Sequence, residues 1–492
     1  MKKSVRIIIV TMCAAATLTV FVATHPDAVR YLCDLAMGYY IDTAERLFPS
    51  GGYTAIDHAR YRRYLRTFSD CPDGFIHAGG ILLYRAAETT ELDDLAAAAV
   101  RYTTFFRARA LAAEIRSWNA LKESSIPAGR TIIIPSPLPS QILDIRNKTN
   151  PPLIEARGLY FSAAGMGSGL LLNNLDRYRS LGINAVVFDA KDIPGIVTYY
   201  SRVPLVRRLH TDEERSIDDI NKFIRILESK GFYTIARIAV FHDHLLRKRD
   251  PSAAIQSRRG GAWDSGSKER WCDPTNRMVQ DYNIALAVEL ASLGCDEIQF
   301  DYIRFPTTGN QAEAAFRYDF GKMTRDEAIA HFLKRAREAL AAHHTRLSID
   351  IFGVVAWGKE IDIARTGQRI DLLARHCDVI SPMLYPSHFN DNFDGYARPG
   401  DNPYYFIYEG CRKVTTLADN RAIIRPWLQA FAWRVSDYGS GYILTQIRAA
   451  KDAGAKGYLF WNAANDYNTV IRALEKGAAD KQSRADTRKA EQ

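Results

Sequence analysis

Asp296-Glu297-Ile298-Gln299-Phe300-Asp301-Tyr302-Ile303-Arg304-Phe305-Pro306 is the stretch on which the fold turns. Its first half alternates polar and apolar residues with a period of two, and Pro306 closes it. In a strand, Ile298 and Phe300 share one face, and Gln299 and Asp301 share the other. A carboxylate facing inward at the end of a buried strand is costly unless it is paired or used. Leu347–Phe352 repeats the pattern, with Leu347, Ile349 and Ile351 on one face and Ser348 and Asp350 on the other. Ala185–Asp189 does so again, with Asp189 and then Lys191 expected inward, and Thr234–Phe241 places Arg237 inward.

Working outward, four more apolar runs fit strands: Gly158–Ser162, Val379–Tyr385, Ile423–Phe431 and Gly457–Trp461. Amphipathic stretches such as Ile217–Lys230, Met278–Leu293 and Asp326–His343 lie between the runs. Eight β/α units over residues 155–474 predict an α/β fold, a (β/α)8 TIM barrel. The alternative is a doubly wound sheet, which calls for a phosphate loop after the first strand. Gly165-Met166-Gly167-Ser168-Gly169 lacks the G-x-G-x-x-G spacing.

Ahead of the barrel, residues 80–136 read as a small α+β unit: strand Ile81–Arg85, a helix containing Leu92 and Leu95, a helix from Ala108, and strand Ile132–Ile134. Trp118-Asn119-Ala120-Leu121, Ile126-Pro127-Ala128-Gly129 and Ile132-Ile133-Ile134-Pro135 resemble the LysM module, which binds glycans containing N-acetylglucosamine. The segment between the helices is longer than in that module, and Ala87-Glu88 stands where Gly-Asp is usual. Residues 137–154 form a Pro-rich linker, 25–79 a helical or irregular segment, and 475–492 a disordered polar tail.

Lys2, Lys3 and Arg6 precede the apolar run Ile7–Ala23. Positive charge before an apolar run marks residues 1–24 as a signal peptide or an uncleaved membrane anchor helix. The chain is then exported to the periplasm or cell envelope, with inner-membrane association through residues 7–23 if the anchor is retained. The 492 residues carry 65 Lys and Arg against 56 Asp and Glu, a net charge of +9. That excess is mild, and no basic stripe marks a nucleic-acid partner. Seven cysteines at wide spacings form no C-x-x-C pair and read as inert buried thiols.

In a barrel the chemistry sits at the C-terminal strand ends. For any single inward charge, a structural ion pair is the ordinary reading. Asp301 and Asp350, on adjacent strands, point instead to catalysis. Glycosidic cleavage generally uses one ionised and one protonated carboxyl. Asp301, near Arg237 and Arg304, is the ionised candidate, and Asp350, between Ile349 and Ile351, is the acid. Glu360, in the loop after the fifth strand, is a rival acid. Trp357, Tyr385 and Trp461 offer flat rings for sugar faces, with Trp427 and Trp433 on the same rim. Asp189, Lys191, Gln429 and Asn462 add hydrogen-bonding capacity for substrate.

Phe188-Asp189-Ala190-Lys191-Asp192, Trp271-Cys272-Asp273-Pro274, the Asp296–Pro306 stretch, Pro426-Trp427-Leu428-Gln429-Ala430-Phe431 and Phe460-Trp461-Asn462-Ala463 resemble a bacterial family of glycoside hydrolase-like TIM-barrel domains. The resemblance covers residues 155–470 and implies hydrolysis of a polysaccharide or peptidoglycan-type glycan without a cofactor. Two readings from other classes stay open. One is a non-catalytic glycan-binding protein of the cell envelope. The other is a metal-dependent deacetylase or hydrolase, in which His242 and His244 would converge with Asp301.

Overall fold

The computed structural model of the chain describes residues 74–78, 81–100, 103, 108–135, 154–167, 170–217, 219–267, 269–317 and 323–490. The expected signal or anchor, nearly all of segment 25–79, nearly all of the linker, and Cys13, Cys33 and Cys71 lie outside them. Among the described residues no helix is long and apolar enough to cross a membrane. The chain divides into two compact units, Met1–Ile142 and Leu143–Gln492.

In the first unit, strands β1 (Phe75–Ala78), β2 (Ile81–Arg85) and β5 (Thr131–Ile134) form an antiparallel sheet in the order β1-β2-β5. A short ribbon joins β3 (Thr90–Glu91) to β4 (Ser125–Ile126). Helices Leu92–Ala99 and Ala108–Trp118 pack with β2 and β5 around Leu82, Leu95, Leu111, Ile115, Ile132 and Ile134. The expected antiparallel pairing is present, with Leu82 opposite Ile134 and Tyr84 opposite Ile132. The second helix ends where Ala120 takes φ +47°. There Asn119 exchanges two hydrogen bonds with the Ile133 backbone, both 2.8 Å, tying the helix end to β5. Strand β1 was not expected; it adds an outer edge to β2.

The second unit contains the closed parallel barrel of a (β/α)8 fold. Its strands are β6 (Ala156–Phe161), β7 (Ala185–Lys191), β8 (Tyr233–Ala239), β10 (Glu297–Asp301), β12 (Arg346–Phe352), β13 (Val379–Met383), β14 with β15 (Ile423–Ile424 and Trp427–Gln429) and β16 (Gly457–Trp461). β16 pairs with β6 and closes the ring. A two-stranded ribbon outside the ring joins β9 (Gln256–Ser257) to β11 (Ala314–Ala315). The seventh barrel strand is split at Pro426, which has no N–H to give the ladder.

Alternation sorts the core into two layers. Val186, Phe188, Ile238, Ile298, Phe300, Ile349 and Ile351 pack outward with the helices. Tyr160, Val187, Ile235, Trp427 and Leu459 fill the interior. The segment expected as a disordered tail is helical instead, in Asn468–Ala490. Its Ala, Glu, Lys and Arg content favours a helix, and no Pro interrupts it. The four described cysteines, Cys272, Cys295, Cys377 and Cys411, are buried and form no disulfide with one another.

Candidate active site

Register places the inward charges at one level of the barrel. Asp189 on β7 lies opposite Arg237 on β8. On β10 and β12, Phe300 lies opposite Ile349, so Asp301 and Asp350 follow side by side. Arg237 is the hub of this layer. Its Nη2 and Nε donate to Asp301 Oδ2 at 2.6 and 3.1 Å, and its Nη1 pairs with Asp189 Oδ1. Tyr160 Oη donates to the other Asp189 oxygen at 2.6 Å. Burial pulls the Arg237 pKa down, but the two carboxylates outweigh it and hold the guanidinium firmly charged. The remaining Asp301 oxygen accepts the Tyr302 amide at 2.6 Å. Tyr302 sits at φ +54°, a rare conformation for a bulky residue.

Asp350 is held differently. Its Oδ1 accepts from Trp427 Nε1 at 2.7 Å. Its Oδ2 is buried and, among the described residues, has no hydrogen-bond partner. Burial raises its pKa well above the ordinary carboxylate range, and the Asp301 charge adds to the rise against Arg237 and the Trp427 bond. A buried carboxyl with one oxygen unpaired keeps its proton there.

Asp301 and Asp350 line a cavity of about 730 Å³ at the C-terminal mouth, together with Arg237, Arg304, Tyr385, Trp427 and Trp461. Trp461 stacks on Tyr160 at 3.9 Å between centroids and meets Trp427 edge-on. The rings therefore form a rigid wall beside the carboxyl pair.

The other sequence candidates are placed elsewhere. Asp189 is buried beneath the cavity and braces Arg237. Lys191 does not face the mouth: a bulge between Asp189 and Lys191 reverses the alternation and sets it opposite outward-facing Ile238. There its Nζ pairs with buried Asp243 at 2.6 Å. Trp357 turns away after β12 on the short helical turn Gly353–Trp357, packs on Phe389 and Phe393, and donates to Asp394 at 2.6 Å. Gln429 is spent on loop backbone at Ser387, Phe431 and Trp433. Asn462 is likewise spent on Ala430, Ala464 and Asp466. Glu360 is no rival acid. Its side chain is 74% exposed and paired with Arg369 at 2.8 Å, and that bond holds its carboxyl below the ordinary range.

For the metal alternative, His242 Nε2 accepts the Arg270 amide at 3.0 Å, while His244 opens helix His244–Arg249. Among the described residues no three His, Cys, Asp or Glu gather as a ligand set. The sequence reasoning missed Glu269, Tyr302 and Asp362, which also line the cavity. Glu269 Oε2 accepts from Trp271 Nε1 and Thr308 Oγ1, both at 3.1 Å. A carboxylate two residues before the tryptophan of the Trp271–Pro274 motif was the available signal.

The family model described as "Putative glycosyl hydrolase domain" matches residues 158–467, which spans all but the first edge of the barrel. No curated protein matches the chain. Among solved structures, a hypothetical protein from Ruminiclostridium thermocellum is 32% identical over 39% of this chain and 96% of its own, with a TM-score of 0.35. The PgaB (BpsB) glycoside hydrolase domain of Bordetella bronchiseptica is 15% identical over 66% of this chain and 98% of its own, TM-score 0.49. The spore cortex-lytic enzyme SleL of Bacillus megaterium is 12% identical over 80% and 85%, TM-score 0.38.

Proposed function

The chain belongs to this glycosyl hydrolase-like family, and from that premise we propose that it cleaves glycosidic bonds of a polysaccharide or cell-wall glycan with two carboxyl groups. The observation that carries the reading is the unequal treatment of neighbouring Asp301 and Asp350. Arg237 and the Tyr302 amide fill the acceptor positions of Asp301. Asp350, buried and, among the described residues, in no ion pair, keeps a proton on Oδ2.

Asp350 passes this proton to the glycosidic oxygen as the bond to the anomeric carbon breaks. Asp301 acts at that carbon, as nucleophile or as the base for an incoming water. The water keeps one hydrogen in the new sugar hydroxyl; its other proton goes back to Asp350 in the nucleophile route, or to Asp301 in the base route, where exchange with solvent then strips Asp301 and reprotonates Asp350. Tyr385, Trp427 and Trp461 present rings to the sugar, and water leaves their apolar faces when it binds.

On the sequence alone, the chain is an exported or envelope-anchored protein, and the unit around β2 and β5 is a LysM-like glycan-binding module. The antiparallel pairing of β2 with β5 around two intervening helices supports that comparison, and a peptidoglycan pull-down with the full chain tests it. The hydrolase reading is tested by Asp301→Asn on a panel of aryl glycosides and cell-wall glycans. Turnover is expected to disappear with the thermal transition retained; full activity in this variant ends the reading.

A further inference from the structure

Three arginines are buried in or above the barrel interior, and two are neutralised. Arg425 pairs with Glu297, and Arg237 with Asp189 and Asp301. The third is Arg304, 4% exposed and lining the cavity. Among the described residues its one hydrogen bond runs from Nη1 to the Phe305 carbonyl at 3.1 Å. Among the described residues no carboxylate oxygen lies within 4 Å of its nitrogens. Glu269, the carboxylate that acts on it most strongly, is instead bound to Trp271 and Thr308.

Arg304 is also held still. Its guanidinium lies 4.1 Å from the ring centroid of Phe352, the last residue of β12, and 4.5 Å from that of Trp271, in the segment between β9 and β10. A planar fork fixed between two rings has lost its side-chain entropy before any ligand arrives. A buried cation without a counter-ion is costly, and an anion that arrives with the substrate relieves that cost.

We infer that the site takes an anionic glycan, and that Arg304 binds the carboxylate or sulfate of a sugar seated beside the Asp301–Asp350 pair. This rests on the hydrolase reading only for the location of the cleaved bond; the anion preference is a binding property of the cavity. The fork suits an oxyanion with two oxygens in reach.

Binding is measured with the full chain carrying Asp301→Asn, so that bound chains are not consumed. The probes are oligogalacturonate, alginate and hyaluronan fragments, the same chains with carboxyls reduced to alcohols, and the reduced chains after sulfation. At least one charged chain is expected to bind roughly 10-fold or more tightly than its neutral counterpart. The better of the carboxylated and sulfated forms identifies the anion. Adding Arg304→Gln is expected to bring that ratio close to one. If no charged chain outbinds its neutral partner, the inference is overturned, whatever Arg304→Gln does to folding. A retained preference in a folded Arg304→Gln protein overturns the assignment to Arg304. Charge-dependent binding without hydrolysis by the wild type removes the hydrolase reading and leaves this one standing.

Discussion

The barrel interior holds an arginine–carboxylate cluster at each end, and the two are built differently. At the floor, where the strands begin, Arg425 Nη1 reaches both oxygens of Glu297 at 2.9 Å, and Tyr233 Oη donates to the same carboxylate at 3.1 Å. Arg425 and Glu297 are fully buried, one cation for one anion. At the mouth a single arginine, Arg237, serves Asp189 and Asp301, while Asp350 stands beside them with no cation of its own. The floor is neutral when fully ionised. The Arg237–Asp189–Asp301–Asp350 cluster is neutral only if protons are retained, and an excess of buried carboxyls over cations within a cluster is what makes a proton donor.

The largest expected effect is at the mouth. Asp301→Asn keeps the shape of the layer and removes the charged carboxyl at the reaction centre. A loss in kcat on the order of 10⁴-fold is expected, with unfolding by urea little changed. A loss in stability with unchanged kcat per folded molecule would make the mouth a second structural cluster like the floor.

The floor gives the converse. Arg425→Met strands Glu297 in full burial, which costs about 3–5 kcal/mol in urea unfolding. Activity per folded molecule is expected to hold, because none of Arg425, Glu297 and Tyr233 lines the cavity. An Arg425→Met protein of normal stability and lost turnover would break the division between the two ends.

Asp350→Asn separates proton donation from the rest of the site. On substrates with poor leaving groups the loss is expected to be about 10²–10⁴-fold, and on activated aryl glycosides far smaller. The pH profile follows the same logic. Donation requires the protonated acid, so wild-type kcat/KM falls as pH rises through the raised Asp350 pKa. That alkaline limb should vanish in Asp350→Asn. Equal losses on both substrate types would move the acid to another cavity carboxyl, Glu269 first.

The barrel and the Asp301–Asp350 pair were legible because they lie inside strands, where a period of two fixes which side a residue faces. Ile298, Phe300, Ile349 and Ile351 went to the helix layer as their alternation required. Where the period stops, the sequence no longer shows which way a side chain faces. One bulge turned Lys191 outward, and Trp357, Gln429 and Asn462 follow or end their strands and are claimed by loops. Glu269 reaches the mouth from a loop positioned by Trp271 and Thr308, contacts with no sequence period. Glu360 lies close in sequence to the fifth strand, but it is exposed and paired with the half-buried Arg369.

The smallest effect tests whether a raised carboxyl marks catalysis at all. Asp219 caps the helix Ile220–Ser229 by accepting the Lys222 amide at 3.0 Å and is not among the residues that line the cavity. Its Oδ2 is buried and, among the described residues, has no hydrogen-bond partner; burial, only partly offset by the Lys222 amide and charge, the Asn221 amide and Arg225, raises its pKa from 3.8 to about 7. The folded state therefore keeps a proton that the unfolded chain has released. Stability from this group is complete below the unfolded value and drains away as pH rises toward about 7. Asn caps a helix as well as Asp and carries no charge. Relative to Asp219→Asn, the wild type should lose about 1.4 kcal/mol between pH 5 and pH 6, the slope of one bound proton, and the gap should level off above pH 7. Urea unfolding of both proteins across that range measures it, with turnover equal throughout. Parallel stability curves would mean that Asp219 is ionised when buried, held so by its helix-cap bonds and the nearby Lys222 and Arg225 charges.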